Sequence, residues 1–165
     1  MKRTAVYPGT FDPVTYGHID IIKRASRIFD KVIVAVAHND GKGTFFSVDE
    51  RVRMLKSSVK GIKGVTVDDF DGLVVDYIKS VGARVMIRGL RMISDFEYEF
   101  QMALTNRKLG GDIETIFMMP SEACLYLSSK LVKEVAGLGG DVTDFAPKNV
   151  RLMLREKLKN ARRAG

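Results

Sequence analysis

Five short apolar runs alternate with helix-like segments along the 165 residues. The runs cover positions 4–7, 32–37, 65–67, 84–89 and 113–119. The second run, VIVAVA, is β-branched and apolar on both faces of a strand, as is typical of a parallel strand covered by helices on both sides. Between the first two runs, HIDIIKRASRIF (18–29) places apolar residues at helical spacing. This alternation predicts a five-stranded parallel sheet with helices on both faces.

Helix start signals agree with this organisation. Ser47 with Glu50, and Ser94 with Glu97, have the spacing of capping boxes. A short helix is expected over 73–80, and a final basic helix from about residue 147. Because there is no repeat or linker, the sequence predicts one doubly wound (Rossmann-like) domain over 1–165.

Charge is concentrated at the end of the chain. The net charge is +7, and residues 148–165 contain seven basic side chains against Glu156, which accounts for +6 of it. The remainder has no basic stripe interleaved with aromatic residues, so a nucleic-acid partner is not expected. No apolar run approaches the ~20 residues of a membrane span. The single cysteine, Cys124, is consistent with a reducing compartment, and a cytoplasmic protein without a membrane partner is expected.

Phosphate-compatible groups follow four of the predicted strands, among them the first and the fourth. After strand one, PGTFDPVTYGH places His18 near a helix N-terminus, where free N–H groups favour anions. The alternative is that His18 is an ordinary polar cap. After strand four come Arg88 and Arg91, whose guanidinium groups match phosphate geometry. Their alternative partners are the carboxylates of Asp95, Glu97 or Glu99.

Two further strand ends carry similar groups. Lys42 lies between two glycines after strand two, where it either delivers an ammonium to an anion or is an exposed loop lysine. Ser128 and Ser129 precede a helix after strand five; one serves as N-cap, and the other is left for a ligand. No His, Cys, Asp or Glu cluster has the spacing of a protein-built metal site, so any Mg²⁺ is expected to arrive on phosphates. Together the four strand ends predict a phosphate pocket.

These segments resemble a known family. TYGH (15–18) resembles the T-x-G-H signature of the nucleotidylyltransferase superfamily. With IRGLRMISDFEYEFQMALTNRKL, FMMPS, LSSKLVKEVA and GDVTDFAPKNV, nearly the whole chain resembles bacterial phosphopantetheine adenylyltransferases. That resemblance implies transfer of AMP from ATP to 4′-phosphopantetheine with Mg²⁺, giving dephospho-coenzyme A and pyrophosphate, in a homohexamer.

The resemblance also implies residue roles. His18, Lys42 and Arg91 would be catalytic, and Thr10, Lys42, Val74 and Arg88 would bind phosphopantetheine. The implied ATP-binding residues are Thr10, Phe11, His18, Gly89, Leu90, Arg91, Glu99, Cys124, Leu125, Tyr126, Leu127, Ser128, Ser129 and Lys130. The family often has an aromatic residue at position 124 and Ser or Thr at 130, so contacts there would depend on backbone atoms. Outward apolar positions at Phe96, Phe100 and Met102 are candidates for the hexamer interface.

Because the incoming phosphate is already anionic, the expected chemistry is in-line displacement without a covalent intermediate. Two alternatives stay open. One is a related adenylyl- or cytidylyltransferase with another phosphorylated acceptor, such as nicotinamide mononucleotide or glycerol phosphate. The other is a non-catalytic adenine-nucleotide sensor whose basic tail binds a partner or RNA.

Overall fold

The computed structural model describes residues 3–38 and 43–164. Its five strands are β1 (Thr4–Gly9), β2 (Lys31–Ala37), β3 (Val65–Phe70), β4 (Val85–Gly89) and β5 (Glu114–Met118). They form one sheet in the order β3-β2-β1-β4-β5, and each neighbouring pair is parallel. The predicted five-stranded parallel sheet is confirmed.

Helices connect the strands and continue after β5. They are α1 (Tyr16–Ile28), α2 (Val48–Ser58), α3 (Val74–Ser80), α4 (Ile93–Gly110), α5 (Ser129–Gly137) and α6 (Lys148–Ala164), with a 3₁₀ turn at Glu122–Cys124. The final basic helix therefore begins where the sequence predicted it. Among the described helices, none is long and apolar enough to cross a bilayer.

Two apolar cores lie on opposite faces of the sheet, because side chains alternate along each strand. In β2, Val32, Val34 and Val36 join the core that contains residues of α1, α2, α5 and α6. Ile33 and Ala35 join the second core, which contains residues of α3. The predicted helices on both faces are confirmed.

Two of the differences from the sequence predictions concern β3 and α4. β3 extends to Phe70, because Asp68 and Asp69 continue the pairing with β2 despite their polarity. The capping box predicted at Ser94 and Glu97 is wrong: α4 begins at Ile93, and its N-cap, Met92, makes no side-chain capping bond. The box at Ser47 and Glu50 is confirmed, with both of its hydrogen bonds present.

The strand order fixes where the loops meet. β1 pairs with β2 on one side and with β4 on the other, so the chain reverses its direction of winding between β1 and β4. In open α/β sheets this switch point leaves a crevice beyond the carboxyl ends of the strands. The loops after Gly9 and Gly89 therefore face one another.

Candidate active site

A cavity of about 450 Å³ lies at this switch point. It brings together loops from β1 and β4 with the N-terminal turn of α5. Its lining includes eleven of the residues implicated by the sequence: Thr10, Phe11, His18, Arg88, Gly89, Arg91, Glu99, Leu127, Ser128, Ser129 and Lys130. His18 and Arg91 thus open onto the same space.

The other implicated residues within the described ranges lie outside this lining. Val74 lines an adjoining groove of about 320 Å³, which shares Thr10, Arg88 and Glu99 with the first cavity. The cavity lining does not include Leu90, Cys124, Leu125 or Tyr126. Lys42 falls outside the described residues, so its expected contact stays a prediction.

The His18 ring is oriented by the start of α1. Thr15 is the N-cap, and its side chain accepts a hydrogen bond from the His18 backbone N–H. The Thr15 backbone N–H donates in turn to His18 Nδ1 at 3.0 Å, so His18 occupies the position that Glu usually takes in a capping box. Because Nδ1 accepts, the neutral ring carries its proton on Nε2. His18 therefore acts as a polar cap, the alternative that the sequence left open, and its ring also lines the cavity.

The electrostatic environment keeps this imidazole neutral. Burial, followed by the positive charges of Arg91 and Arg88, lowers the pKa of His18 to about 4. At neutral pH the ring is therefore an uncharged donor. Such a group can hydrogen-bond to a phosphate oxygen through Nε2–H without adding a formal charge.

The turn that precedes α1 is strained. Phe11 has φ +51°, a left-handed conformation that a residue with a Cβ rarely adopts. Its ring is buried and packs edge-on against Tyr7 and His18, with centroids 5.4 and 5.0 Å away. A Cβ on Gly9 would lie 3.0 Å from the Phe11 ring, so glycine permits this packing. The buried ring holds the strained backbone at the cavity.

Arg88 is fixed by a carboxylate and a carbonyl. Its Nε and Nη2 donate to the two Glu99 oxygens at 2.8 and 2.6 Å, and Nη1 donates to the Pro8 carbonyl at 2.8 Å. Glu99 was implicated as a nucleotide contact, but here its carboxylate orients Arg88. The carboxylate partner that the sequence left open as an alternative is therefore present.

Arg91 joins the β4 turn to the start of α5. Its Nη1 donates to the Leu127 carbonyl at 2.9 Å, and its Nε lies 3.3 Å from Asp95. Ser128 is the N-cap of α5 and accepts from the Leu131 N–H, as expected. The second serine, whose hydroxyl was expected to be left for a ligand, already has a partner, because Ser129 Oγ donates to the Pro13 carbonyl at 2.7 Å. Its backbone N–H remains among the first donors of the helix.

Every described lysine or arginine that lines the cavity has a carboxylate partner. The four pairs are Arg88–Glu99, Arg91–Asp95, Lys133–Asp12 and Lys130–Glu134, at 2.6, 3.3, 2.8 and 3.9 Å. A bound phosphate would share these cations with their carboxylates. Within the part of the chain that the structure describes, no group of three His, Cys, Asp or Glu residues could hold a metal ion.

Comparison with known proteins decides the family. A cytidylyltransferase-like family model matches residues 6–135. A phosphopantetheine adenylyltransferase from Caldanaerobacter subterraneus subsp. tengcongensis is 57% identical over 159 residues, covering 96% of this chain and 99% of the relative. One from Geobacter sulfurreducens is 56% identical, covering 94% of each. The chain belongs to the phosphopantetheine adenylyltransferase family.

Solved structures at lower identity share the fold of this adenylyltransferase family member. A Plasmodium falciparum nicotinic acid mononucleotide adenylyltransferase has a TM-score of 0.68 at 13% identity, covering 98% of this chain and 96% of that one. A lipopolysaccharide core biosynthesis protein from Thermoplasma volcanium has a TM-score of 0.52 at 22% identity, covering 73% and 98%. At these identities the likeness extends to the fold alone.

Sequence reasoning missed three residues that organise the site of this family member. Asp12 and Lys133 line the cavity as a pair, and the fully buried Arg51 donates to the carbonyl of Thr10, a lining residue. Lys133 follows Ser129 by four residues and so lies on the same side of α5, a spacing that could have indicated it. No comparable spacing marks Asp12 or Arg51 in the sequence.

Proposed function

We propose that this chain transfers AMP from ATP to 4′-phosphopantetheine, releasing pyrophosphate and forming dephospho-coenzyme A. The observation that carries this is the shared cavity: His18, Arg88, Arg91 and the α5 N-terminus line one space at the strand ends. Family membership supplies the identity of the two substrates. In this proposal the donors of the cavity serve two phosphorylated molecules at once.

The nucleotide phosphates would lie between α1 and α5. His18 would donate through Nε2–H. Ser129 and Lys130, whose backbone N–H groups are among the first donors of α5, line the same cavity. Arg91 is held at the Leu127 carbonyl beside them. These groups suit the triphosphate of ATP, with Ser128 and Ser129 at its β- and γ-phosphates.

Phosphopantetheine would enter through the adjoining groove. That groove is lined by apolar side chains, including Leu73, Val74 and Met102, and it meets the main cavity at Arg88. An extended thiol arm would lie along the apolar lining while its phosphate reaches Arg88 and Thr10. Lys42 is proposed as a further cation for this phosphate.

The reaction is a single in-line displacement at the α-phosphorus of ATP. A phosphopantetheine phosphate oxygen forms the new P–O bond, and the bond to the bridging oxygen breaks, so pyrophosphate leaves with the electron pair. No general base is needed, because the nucleophile is already ionised. Alignment of the two anions and neutralisation of charge on their oxygens lower the barrier.

Magnesium would be held by the phosphates. The cavity carboxylates Asp12 and Glu99 are engaged by Lys133 and Arg88, so the side chains fit phosphate oxygens better than a bare cation. When bound to ATP, Mg²⁺ supplies charge neutralisation at the phosphate oxygens.

We also propose a cytoplasmic homohexamer with no nucleic-acid or membrane partner.

An acceptor screen tests the function. The protein is incubated with Mg²⁺, with ATP or CTP, and with 4′-phosphopantetheine, nicotinamide mononucleotide or glycerol phosphate, and products are identified by mass. Dephospho-coenzyme A and pyrophosphate are expected only from ATP with 4′-phosphopantetheine. Pyrophosphate released with another acceptor alone would favour a related transferase, and ATP binding without any release would favour a sensor.

A further inference from the structure

A carboxylate lies within the wall of this anion-binding cavity. Asp12 follows β1, lines the cavity and is only 6% exposed. A buried negative charge is unfavourable in itself, and it would repel phosphates nearby. Nearby donors or cations must therefore offset the charge of Asp12.

Three groups from two distant segments converge on Asp12. The backbone N–H groups of Phe45 and Phe46 donate to its two oxygens at 2.9 and 2.8 Å. The Lys133 ammonium, from α5, donates to Oδ2 at 2.8 Å. Asp12 thereby links the loop after β1 with the segment before α2 and with α5.

The link to α5 has a second bond. Ser129, one turn before Lys133, donates to the Pro13 carbonyl. The N-terminal turn of α5 is therefore attached to the first loop at two adjacent residues, Asp12 and Pro13. The Lys133 side chain lines the cavity and stays 32% exposed while Asp12 holds its ammonium.

The segment before α2 is held from its other side by Arg51. This fully buried guanidinium donates to the Phe46 carbonyl at 3.1 Å and to the Thr10 carbonyl at 2.8 Å. Phe46 thus contacts Asp12 through its N–H and Arg51 through its carbonyl. The position of Thr10 is coupled to the same segment.

We propose that Asp12 is a positioning residue for the transfer reaction: it holds the Lys133 ammonium at the cavity wall and fixes three segments in one geometry. The role rests on the proposed function. Lys133 then adds a cation that faces the nucleotide phosphates, and Asp12 sets where that cation lies. Neither residue was among those implicated by the sequence.

Two variants and a matched control test the proposal. Asp12→Asn keeps the shape and one acceptor oxygen but removes the charge that holds Lys133. Lys133→Met removes the ammonium and leaves Asp12 its two backbone donors. Glu50→Gln is the control, because Glu50 also pairs with a lysine, Lys157, and accepts a backbone N–H from Ser47, outside the cavity.

Asp12→Asn is expected to lower kcat about 10–100-fold per folded molecule, as misalignment of reacting groups does. Both cavity variants are expected to weaken binding of a non-hydrolysable ATP analogue in calorimetry, whereas Glu50→Gln is expected only to lower the Tm. The Asp12→Asn/Lys133→Met double variant is expected to bind the analogue no more weakly than Lys133→Met alone, because the charge of Asp12 acts on this binding through Lys133.

If Asp12→Asn has the same analogue affinity and the same kcat as Glu50→Gln, the proposal is overturned and Asp12 is a purely structural residue. Unchanged analogue affinity in Lys133→Met would also overturn it, even if Asp12→Asn does not fold. Binding is measured without turnover. A wild-type protein inactive on 4′-phosphopantetheine would therefore refute the proposed function, while the role of Asp12 is still decided by calorimetry.

Discussion

The His18 ring presents a hydrogen-bond donor in a fixed direction. The Thr15 backbone N–H occupies Nδ1, so Nε2–H is the ring's free donor. Burial of the ring, followed by the charges of Arg91 and Arg88, disfavours the imidazolium form. A neutral donor placed this way can strengthen its hydrogen bond as negative charge builds on a phosphate oxygen.

Removing this donor should slow the reaction with little effect on the fold. His18→Ala is expected to lower kcat about 10²–10³-fold, the usual effect of deleting one such donor. His38→Ala is the control, because His38 pairs with Asp69 and does not line the cavity. Steady-state kinetics with circular dichroism checks both variants. Near-normal turnover in folded His18→Ala would refute the role.

The titration of His18 should report its surroundings. His18 and His38 are the two histidines of the chain, so His38→Gln leaves one imidazole signal in the NMR spectrum. Its midpoint is expected near pH 4, against about 6.5 for a free imidazole. As the pH falls, the unfolded chain binds this proton at a higher pH than the folded protein does. The contribution of neutral His18 to the free energy of unfolding is therefore fully present above about pH 6.5 and is lost as the pH falls towards 4. A midpoint near 6.5 would contradict the burial of the ring.

Helix starts show where local sequence decides structure and where it does not. Ser47 and Glu50 form the capping box that their spacing predicts. Ser94 and Glu97 have the same spacing, but α4 already begins at Ile93. The Asp95 carboxylate in its first turn pairs with Arg91, four residues earlier in the chain. The same S-x-x-E spacing therefore does not by itself fix a helix start.

The two serines make a matched pair for a stability measurement. Ser47→Ala is expected to cost about 1 kcal/mol of unfolding free energy, because it removes a side-chain cap. Ser94→Ala lies inside a helix and is expected to change stability by under about 0.5 kcal/mol. Urea unfolding at one protein concentration measures both. Equal losses in the two variants would show that Ser94 caps α4 after all.

The five strands and most of the site were predictable, because apolar runs mark strands and the groups of interest directly follow them. The pairings across the cavity were not. Asp12 pairs with Lys133, which lies 121 positions later in the chain. Arg51 donates hydrogen bonds to backbone carbonyls of three segments. Local patterns do not encode such contacts, which depend on the order of strands in the sheet.

At the scale of the whole molecule, α4 is unusual for its exposure. Its buried residues are Asn106 and Gly110, while Phe96 and Phe100 stack on each other and are each 47% exposed. Met102, also implicated as an interface residue, is half-buried and lines the groove beside the cavity. An exposed aromatic pair on a helix is typical of a surface that binds another subunit.

Assembly should therefore depend on this helix. The wild-type protein is expected to sediment as a hexamer at micromolar concentration, and Phe100→Asp is expected to shift it to smaller species. Leu138→Asp, at an exposed position after α5, is the control and should leave sedimentation unchanged. A wild-type monomer would contradict the proposed hexamer.

The stereochemical outcome at the α-phosphorus tests most directly whether two phosphorylated molecules meet and react in one cavity. The protein is supplied with 4′-phosphopantetheine and a single diastereomer of adenosine 5′-O-(1-thiotriphosphate), and the configuration of the product is determined. One direct displacement predicts inversion at phosphorus. Retention would require two successive displacements, hence a covalent intermediate, and would contradict direct transfer between the two substrates.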